Sequence, residues 1–157
     1  MFKRLLVLIL SLLLIGCAGR PKTVDIPVGD YTGTIPSSWK EKDGYYYCGK
    51  VGRPPYMFIS VDSGLELSEL VSDSDSFVDG FVEEFGGQLL ADFMPVSSFD
   101  YPAYVFTIAA EVDGVDTHNI IYCLGNPSGG TIFIGFMDIN DNSNNYDNFI
   151  KMMENLK

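Results

Sequence analysis

An almost unbroken apolar run occupies residues 5–15, in which Ser11 is the only residue that is not aliphatic. A helix needs about 20 apolar residues to span a bilayer, so this run is too short for a permanent transmembrane segment. Lys3 and Arg4 precede the run, and a positive start followed by a short apolar core is typical of an export signal. The pattern predicts a signal peptide over residues 1–16.

Two later segments carry apolar residues at helical spacing. In residues 73–87 the apolar positions are Phe77, Val78, Phe81, Val82 and Phe85. Aspartates at the start of this segment favour the positive end of a helix dipole, and Gly86 supplies a stop. In residues 144–157 the apolar positions are Tyr146, Phe149, Ile150 and Met153, which predict an amphipathic terminal helix.

Aromatic and β-branched residues between Gly and Pro predict strands over residues 31–35, 45–48, 56–61 and 131–137. The strongest signal is a hairpin of residues 104–112 and 115–124, because the Asp113-Gly114 link suits the tight turn between twisted antiparallel strands. With Val112 opposite Val115, one face of the hairpin carries Tyr104, Phe106, Ile108, Ala110, Ile121 and Cys123. The other face, with Val105, Thr107, Ala109, Ile120 and Tyr122, is also largely apolar, so we expect both faces to be covered.

These elements predict an α+β fold, in which an antiparallel β-sheet is flanked by helices as an α/β/α-type sandwich. Residues 17–30 contain prolines and glycines without apolar periodicity and are predicted to be a flexible tether. Residues 31–157 then form a single domain, large enough to bury one core.

The end of the signal gives a more specific prediction. Leu14-Ile15-Gly16-Cys17 resembles the bacterial lipoprotein box, in which a small residue stands directly before a cysteine. The resemblance implies a diacylglyceryl group on the Cys17 sulfur, cleavage before Cys17, and an anchor at the outer face of a cell membrane or in an outer membrane. Two acyl chains hold a soluble domain stably at a bilayer. The alternative is an ordinary signal with an incidental cysteine.

Charge is unevenly distributed along the chain. Removal of residues 1–16 takes away Lys3 and Arg4, so the net charge of −11 becomes −13. No Lys or Arg occurs between Arg53 and Lys151, whereas carboxylates are frequent there. Such a body repels phosphate polymers, which argues against nucleic-acid binding and also against electrostatic docking on anionic lipids. Solubility explains the acidity, with a cationic partner or a divalent-ion shell as the alternative.

Cys48 and Cys123 remain after Cys17 is acylated. An exported protein can form disulfides, and a bridge between them would stabilise the fold by roughly 4 to 5 kcal/mol on the chain-entropy model. The alternative is two buried free thiols that pack as small apolar groups.

His118 is the only histidine, so a hydrolase would use it as general base. It pairs with Ala109, while Glu111 and Asp116 lie on the same face of the hairpin, where a carboxylate–histidine metal site is conceivable. A solvated polar hairpin end explains the same three residues. The sequence contains no CxxC, HExxH or GxSxG motif, and a single histidine excludes multi-histidine zinc sites within one chain.

Two loops are candidate ligand sites. In residues 138–145, Asp138, Asn140 and Asn142 match the first oxygen donors of a calcium loop, but Ser143 and Phe149 replace its Gly and its bidentate Glu. A capped strand-to-helix loop explains the segment, and weak calcium binding is the alternative. The glycines of residues 125–130 could bring amides close to an anion, but no phosphate-loop lysine is present and a simple turn explains them.

The order of elements, with the Ile35-Pro36-Ser37-Ser38-Trp39 segment near the start, resembles the PsbP-like fold. That fold is shared by extrinsic photosystem proteins, a Ran-binding nuclear import factor and many small bacterial lipoproteins. The resemblance implies a binding or assembly module and transfers no functional residue. We therefore expect a monomeric, non-catalytic, lipid-anchored module without a cofactor, with an envelope protein as its partner. The alternatives are an envelope hydrolase that uses His118 or the carboxylates Glu111 and Asp116, and a calcium-binding surface protein.

Overall fold

The computed structural model describes residues 22–112, 114–139 and 144–157. Within this part, the protein is an α+β domain with a seven-stranded antiparallel sheet, a small two-stranded sheet and three helices packed against them. The strands are β1 Thr23–Val28, β2 Tyr31–Pro36, β3 Lys40–Lys42, β4 Tyr45–Tyr47, β5 Tyr56–Asp62, β6 Gln88–Pro95, β7 Ala103–Val112, β8 Val115–Gly125 and β9 Thr131–Asp138. The helices are α1 Leu67–Ser72, α2 Ser74–Phe85 and α3 Asn144–Glu154. The predicted fold class is confirmed.

The large sheet has the strand order β3-β4-β5-β9-β8-β7-β6, with β3 and β6 at its edges. The predicted hairpin forms with the expected register, in which Val112 is opposite Val115 and Ala109 is opposite His118. Strands β1 and β2 form the separate two-stranded sheet.

Helices α1 and α2 cover one face of the large sheet. Phe77 of α2 stacks on Phe133 and meets Phe106 edge-on, so the apolar stripe of the helix lies on the predicted hairpin face. The helix ends as predicted, because Gly86 adopts the left-handed conformation that suits glycine (φ 61°).

The opposite face of the large sheet is covered by α3 and the two-stranded sheet. Phe149 of α3 stacks on Phe136 and also contacts Tyr122, while Ile26 and Val28 of β1 are buried in the same cluster. The expectation that both faces of the hairpin are covered is therefore confirmed, with each face contributing to its own core cluster.

The prediction of a flexible tether over residues 17–30 is wrong for β1, which pairs with β2 along its whole length. Its sequence, Thr-Val-Asp-Ile-Pro-Val, places Ile26 and Val28 on a buried face, and the single Pro27 is tolerated in a strand with a free edge. Strand β3, strand β6 and helix α1 were not predicted either. No helix in the described residues is both long and apolar enough to cross a membrane.

Candidate functional site

The three residues for which a catalytic or metal-binding role was the alternative to a solvated polar hairpin end lie near the turn of the β7–β8 hairpin. Glu111 is directly opposite Asp116, and His118 is opposite Ala109, as the register predicted. All three side chains are exposed. No group of three or more His, Cys, Asp or Glu side chains among the described residues is arranged to hold a metal ion. The structure thus places the three residues at a solvated hairpin end and forms no metal site from them.

His118 also borders a cavity that the sequence did not predict. The cavity has a volume of about 280 Å³ and is lined by Leu90, Thr107, His118, Ile120, Asp138 and Tyr146. Four sheet strands and α3 contribute to this lining, so the site exists only after the sheet has assembled. Its floor is mixed, because Ile120 and Leu90 are apolar whereas Asp138 and Thr107 are polar.

Asp138 is opposite His118 across the β8–β9 ladder. Only 5% of Asp138 is exposed, and its Oδ1 accepts a hydrogen bond of 2.7 Å from the backbone N–H of Ile139. A carboxylate facing an imidazole can hold that ring in one orientation, which is how such pairs act in general-base sites. The sequence placed Asp138 only in a calcium-like loop, because its pairing with His118 depends on the β9 register.

The remaining donors of the calcium-like segment, Asn140 and Asn142, lie outside the described residues, as does Ser143 at the position of the loop glycine. Phe149, at the position where a calcium loop carries its bidentate Glu, is fully buried in the core. The packing of α3 therefore fixes this position as apolar, in agreement with the predicted strand-to-helix connection.

The turn over residues 125–130 uses its amides within the protein. Ser128 N–H donates to Asp30 Oδ2 at 2.6 Å, and Gly130 N–H donates to Glu66 Oε1 at 3.0 Å. Asn126 Oδ1 accepts from the N–H of Asp30 at 2.9 Å. Two carboxylates of the domain thus occupy the positions that an external anion would take, and the interpretation of this segment as a structural turn agrees with these bonds.

The proposed bridge between Cys48 and Cys123 is not formed, and both thiols are free. Cys48 packs in the cluster under α3, whereas Cys123 is in the cluster under α1 and α2, so the sheet separates them. From strand spacing, their positions lie roughly 20 Å apart, against the 7 Å limit for bridging. The sequence identified both as strand cysteines but could not place Cys48 relative to the hairpin, because its face and strand order depend on non-local pairing.

Burial sets the chemistry of these thiols. It raises the pKa of Cys48 to about 12, with a further contribution from the negative charge of Asp138. Burial alone raises the pKa of Cys123 to about 12. Both cysteines are therefore protonated at neutral pH, and neither is a poised thiolate nucleophile.

Apolar side chains are exposed next to the cavity. Leu90 is 49% exposed and Met94 is 50% exposed, and both lie on β6, the edge strand beside β7. Two register irregularities interrupt the pairing of β6 with β7. Bulges and a proline are common protections of an edge strand, and the exposed apolar residues on this edge resemble the surface of a binding site.

The sequence missed this surface because residues 88–95 lack strict alternation of apolar and polar positions. The one local signal was the pair Leu89-Leu90 after a helix stop, which does not show which leucine is exposed. Leu89 packs in the same cluster as Ile108, which leaves Leu90 as the exposed leucine. This packing depends on the pairing of β6 with β7.

No protein-family model matches this chain, and no curated protein matches its sequence.

Proposed function

We propose that the protein is a lipid-anchored, non-catalytic binding or assembly module of a bacterial cell envelope, with a PsbP-like domain. Its anchor is the diacylglyceryl group on Cys17, which follows from the lipoprotein-box pattern. The observation that carries the binding role is the exposed apolar edge of β6 beside the cavity that contains His118.

This surface supports a protein partner for two reasons. Leu90 and Met94 each expose about half of their surface, and burial of that half favours association by roughly 0.7 to 1.5 kcal/mol per side chain. The bulges and Pro95 disfavour the addition of a partner strand to the β6 edge, so apolar side chains carry the contact in place of backbone pairing. The cavity, with a volume of about 280 Å³, is large enough to accept one side chain of a partner, and Asp138 contributes a carboxylate to its lining.

The second candidate is an envelope hydrolase, which the pairing of His118 with Asp138 favours. His118 would act as general base on a nucleophile in the cavity. Among the residues that line the cavity, Thr107 carries the only aliphatic hydroxyl group. The two cysteines are unsuitable nucleophiles because burial holds their pKa values near 12. The carboxylates Glu111 and Asp116 are exposed and line a separate, wider cleft with His118.

The binding role is tested by capture of partners from the native cells with chemical cross-linking. A Leu90→Lys variant is compared with the wild type and with Val61→Lys, a matched control because Val61 is 47% exposed but lies on β5. We expect capture of the partner to fall roughly tenfold or more for Leu90→Lys and to be unchanged for the control. Equal capture by all three proteins would contradict the proposed surface.

The hydrolase is tested separately, with a His118→Ala variant assayed for turnover over a broad panel of ester, amide and glycoside substrates. The binding module predicts no turnover in either protein. Turnover by the wild type that disappears in His118→Ala would replace the proposed function with the second candidate.

The anchor is tested by membrane fractionation and by the intact mass of the native protein. We expect the native chain in the membrane fraction with the added mass of a diacylglyceryl group. A native chain in the soluble cell interior would contradict the anchor, and so would the absence of lipid mass on Cys17.

A further inference from the structure

The cations of the domain are concentrated at one side of the fold. Seven basic side chains occur in the described residues, and all are exposed: Lys22, Lys40, Lys42, Lys50, Arg53, Lys151 and Lys157. Four of these are in residues 40–53, which form β3, β4 and the loop that follows, together with the two carboxylates Glu41 and Asp43. The charge of the domain is therefore strongly asymmetric although its net value is negative.

The chain enters the domain at this same side. Ser37 N–H donates to the carbonyl oxygen of Lys22 at 3.0 Å, and Ser37 is three residues before Lys40, the first residue of β3. Lys151 and Lys157 line a cleft with Thr23 and Pro36, immediately beside the entry point. Lys151 and Lys157 thus flank the entry point, whereas Lys40 and Lys42 follow a few residues along the chain, on the face of the large sheet opposite to β1, β2 and α3.

The segment from Cys17 to Lys22 is short. Five residues span at most about 17 Å when fully extended. An acyl group on Cys17 therefore holds the β3 edge close to the bilayer, whereas β6, six strand spacings away, lies roughly 29 Å further along the sheet.

Aromatic residues accompany the cations on β4 and β5. Tyr45, Tyr47 and Tyr56 form a cluster in which the ring centroids of Tyr45 and Tyr56 are 5.3 Å apart and those of Tyr47 and Tyr56 are 5.5 Å apart. Lys42 is opposite Tyr45 and Lys40 is opposite Tyr47, so the lysines and the tyrosines share one face of the sheet. Tyrosine beside lysine is a common composition at the boundary between lipid headgroups and water.

We infer that the β3 edge, formed by Lys40, Lys42, Lys50 and Arg53 with the tyrosine cluster, docks on the anionic lipid headgroups of the membrane that holds Cys17. This inference rests on the lipid anchor of the proposed function. Helix α2 packs on β9, β7 and β6, so its carboxylates lie about three strand spacings or more from β3, roughly 14 Å, and this distance exceeds the Debye length of about 8 Å at physiological salt. The negative net charge and the absence of Lys and Arg between Arg53 and Lys151 predict repulsion from anionic lipids, but the strand order gathers the four cations of residues 40–53 at one edge of the sheet.

The orientation also serves the proposed partner site. With β3 on the membrane, β6 is the edge farthest from it, and the exposed Leu90 and Met94 face the space outside the membrane.

The lipidated protein is reconstituted in vesicles of phosphatidylcholine, with or without phosphatidylglycerol, that carry a fluorescence quencher on the headgroup. A thiol-reactive fluorophore is attached in Val51→Cys, in the loop after β4, or in Asp92→Cys on β6; both native positions are exposed. We expect strong quenching of the Val51 probe and little quenching of the Asp92 probe on the anionic vesicles. High salt should remove this difference in quenching between the two probe positions.

Charge variants separate this docking from simple tethering. Lys40→Glu and Lys42→Glu in the Val51 probe protein should each reduce the docked population at least about fivefold, because the loss of one basic residue near an anionic surface costs that much and the new carboxylate adds repulsion. Asp79→Lys on α2 changes the charge by the same amount far from β3 and should leave the quenching unchanged. Equal quenching at both probe positions, or equal quenching on neutral and anionic vesicles, would overturn the inference.

Failure of the anchor is distinguished by the mass of Cys17 in the same preparation. If Cys17 carries no lipid, the proposed anchor fails, and the purified chain is sedimented with the same vesicles. Sedimentation with anionic vesicles alone that is lost in Lys40→Glu supports the docking edge, and no sedimentation with either vesicle overturns it. Docking on an acidic protein in place of lipid would appear as quenching that requires added cell extract, which also overturns the inference.

Discussion

At the scale of single residues, the two thiols show how burial decides chemistry. Cys48 and Cys123 are on opposite faces of the sheet, and burial raises the pKa of each to about 12 from an ordinary value near 9. A pKa that is higher in the folded state contributes stability that is fully present below pH 9 and is lost as the pH rises from 9 towards 12. Burial also raises the pKa of Tyr122 to about 12, which acts in the same direction.

We therefore predict that the free energy of unfolding of the domain falls as the pH rises above 9. We also predict that both thiols resist iodoacetamide at pH 8 until the protein is unfolded. Cys123 should react more slowly than Cys48, because Cys123 is buried and Cys48 is half-buried. Thermal unfolding with and without reductant, and mass measurement after alkylation, check these expectations. A melting temperature that falls in reductant would show that a bridge exists after all.

At Gly135 of β9, the neighbour across the ladder leaves no room for a larger side chain. It is opposite Phe58, and a Cβ at position 135 would overlap the Phe58 ring. We predict that Gly135→Ala lowers the free energy of unfolding by about 1 to 3 kcal/mol, the usual cost of overpacking. Urea denaturation measures this change.

Gly80 is the matched control for Gly135, because a Cβ there meets no atom within 4 Å and the residue is inside α2. Gly80→Ala should stabilise the domain by about 0.5 to 1 kcal/mol through helix propensity. If both alanine variants were destabilised equally, the overlap with Phe58 would not be the cause.

At the scale of elements, β1 changes where the domain begins. The tether predicted from prolines and glycines contains a strand whose alternate residues Ile26 and Val28 are buried, so only the shorter segment before Lys22 can act as a linker. In the proposed docking, this shorter linker would keep the β3 edge near the lipid on Cys17.

We predict that Ile26→Ala lowers the free energy of unfolding by about 2 to 4 kcal/mol, because it removes a buried side chain from the core under α3. Val24→Ala on the same strand is the control. Val24 is 39% exposed, and its replacement should change stability by no more than about 0.5 kcal/mol. Unfolding in urea checks both variants, and two changes of equal size would argue that β1 does not pack as described.

At the scale of the whole molecule, the acidic domain folds despite the electrostatic repulsion among its own carboxylates. The carboxylates from Asp62 to Asp147 lie in a stretch, residues 54–150, that contains no Lys or Arg, and the described cations gather at the β3 edge and the chain entry. Like charges in a compact state repel one another, and salt screens that repulsion.

We predict that the melting temperature rises by a few degrees when ionic strength is raised from low to physiological, since each kcal/mol shifts it by roughly 4 °C. Calcium chloride and potassium chloride at matched ionic strength should give the same rise, as measured by scanning calorimetry. A larger rise with calcium would favour the calcium-binding alternative, in which the segment of residues 138–145 supplies the donors.

Local sequence patterns were enough to predict much of the fold. Apolar periodicity determined α2 and α3, Gly86 determined where α2 ends, and the Asp113-Gly114 link determined the hairpin and its register. These features depend on residues within a few positions of one another, so sequence patterns record them directly. The lipoprotein-box pattern at Cys17 is also read locally, and it remains a prediction that lies outside the described residues.

Only the tertiary structure decided the features that depend on pairing between strands that are distant in the chain. The strand order places β9 beside β8, which sets Asp138 opposite His118, and it places β6 beside β7, which exposes Leu90. The same order puts Cys48 and Cys123 on different faces and gathers the lysines at one edge. The physical reason is that face and neighbour are set by pairing between strands, and one sequence position carries no information about which distant strand will lie beside it.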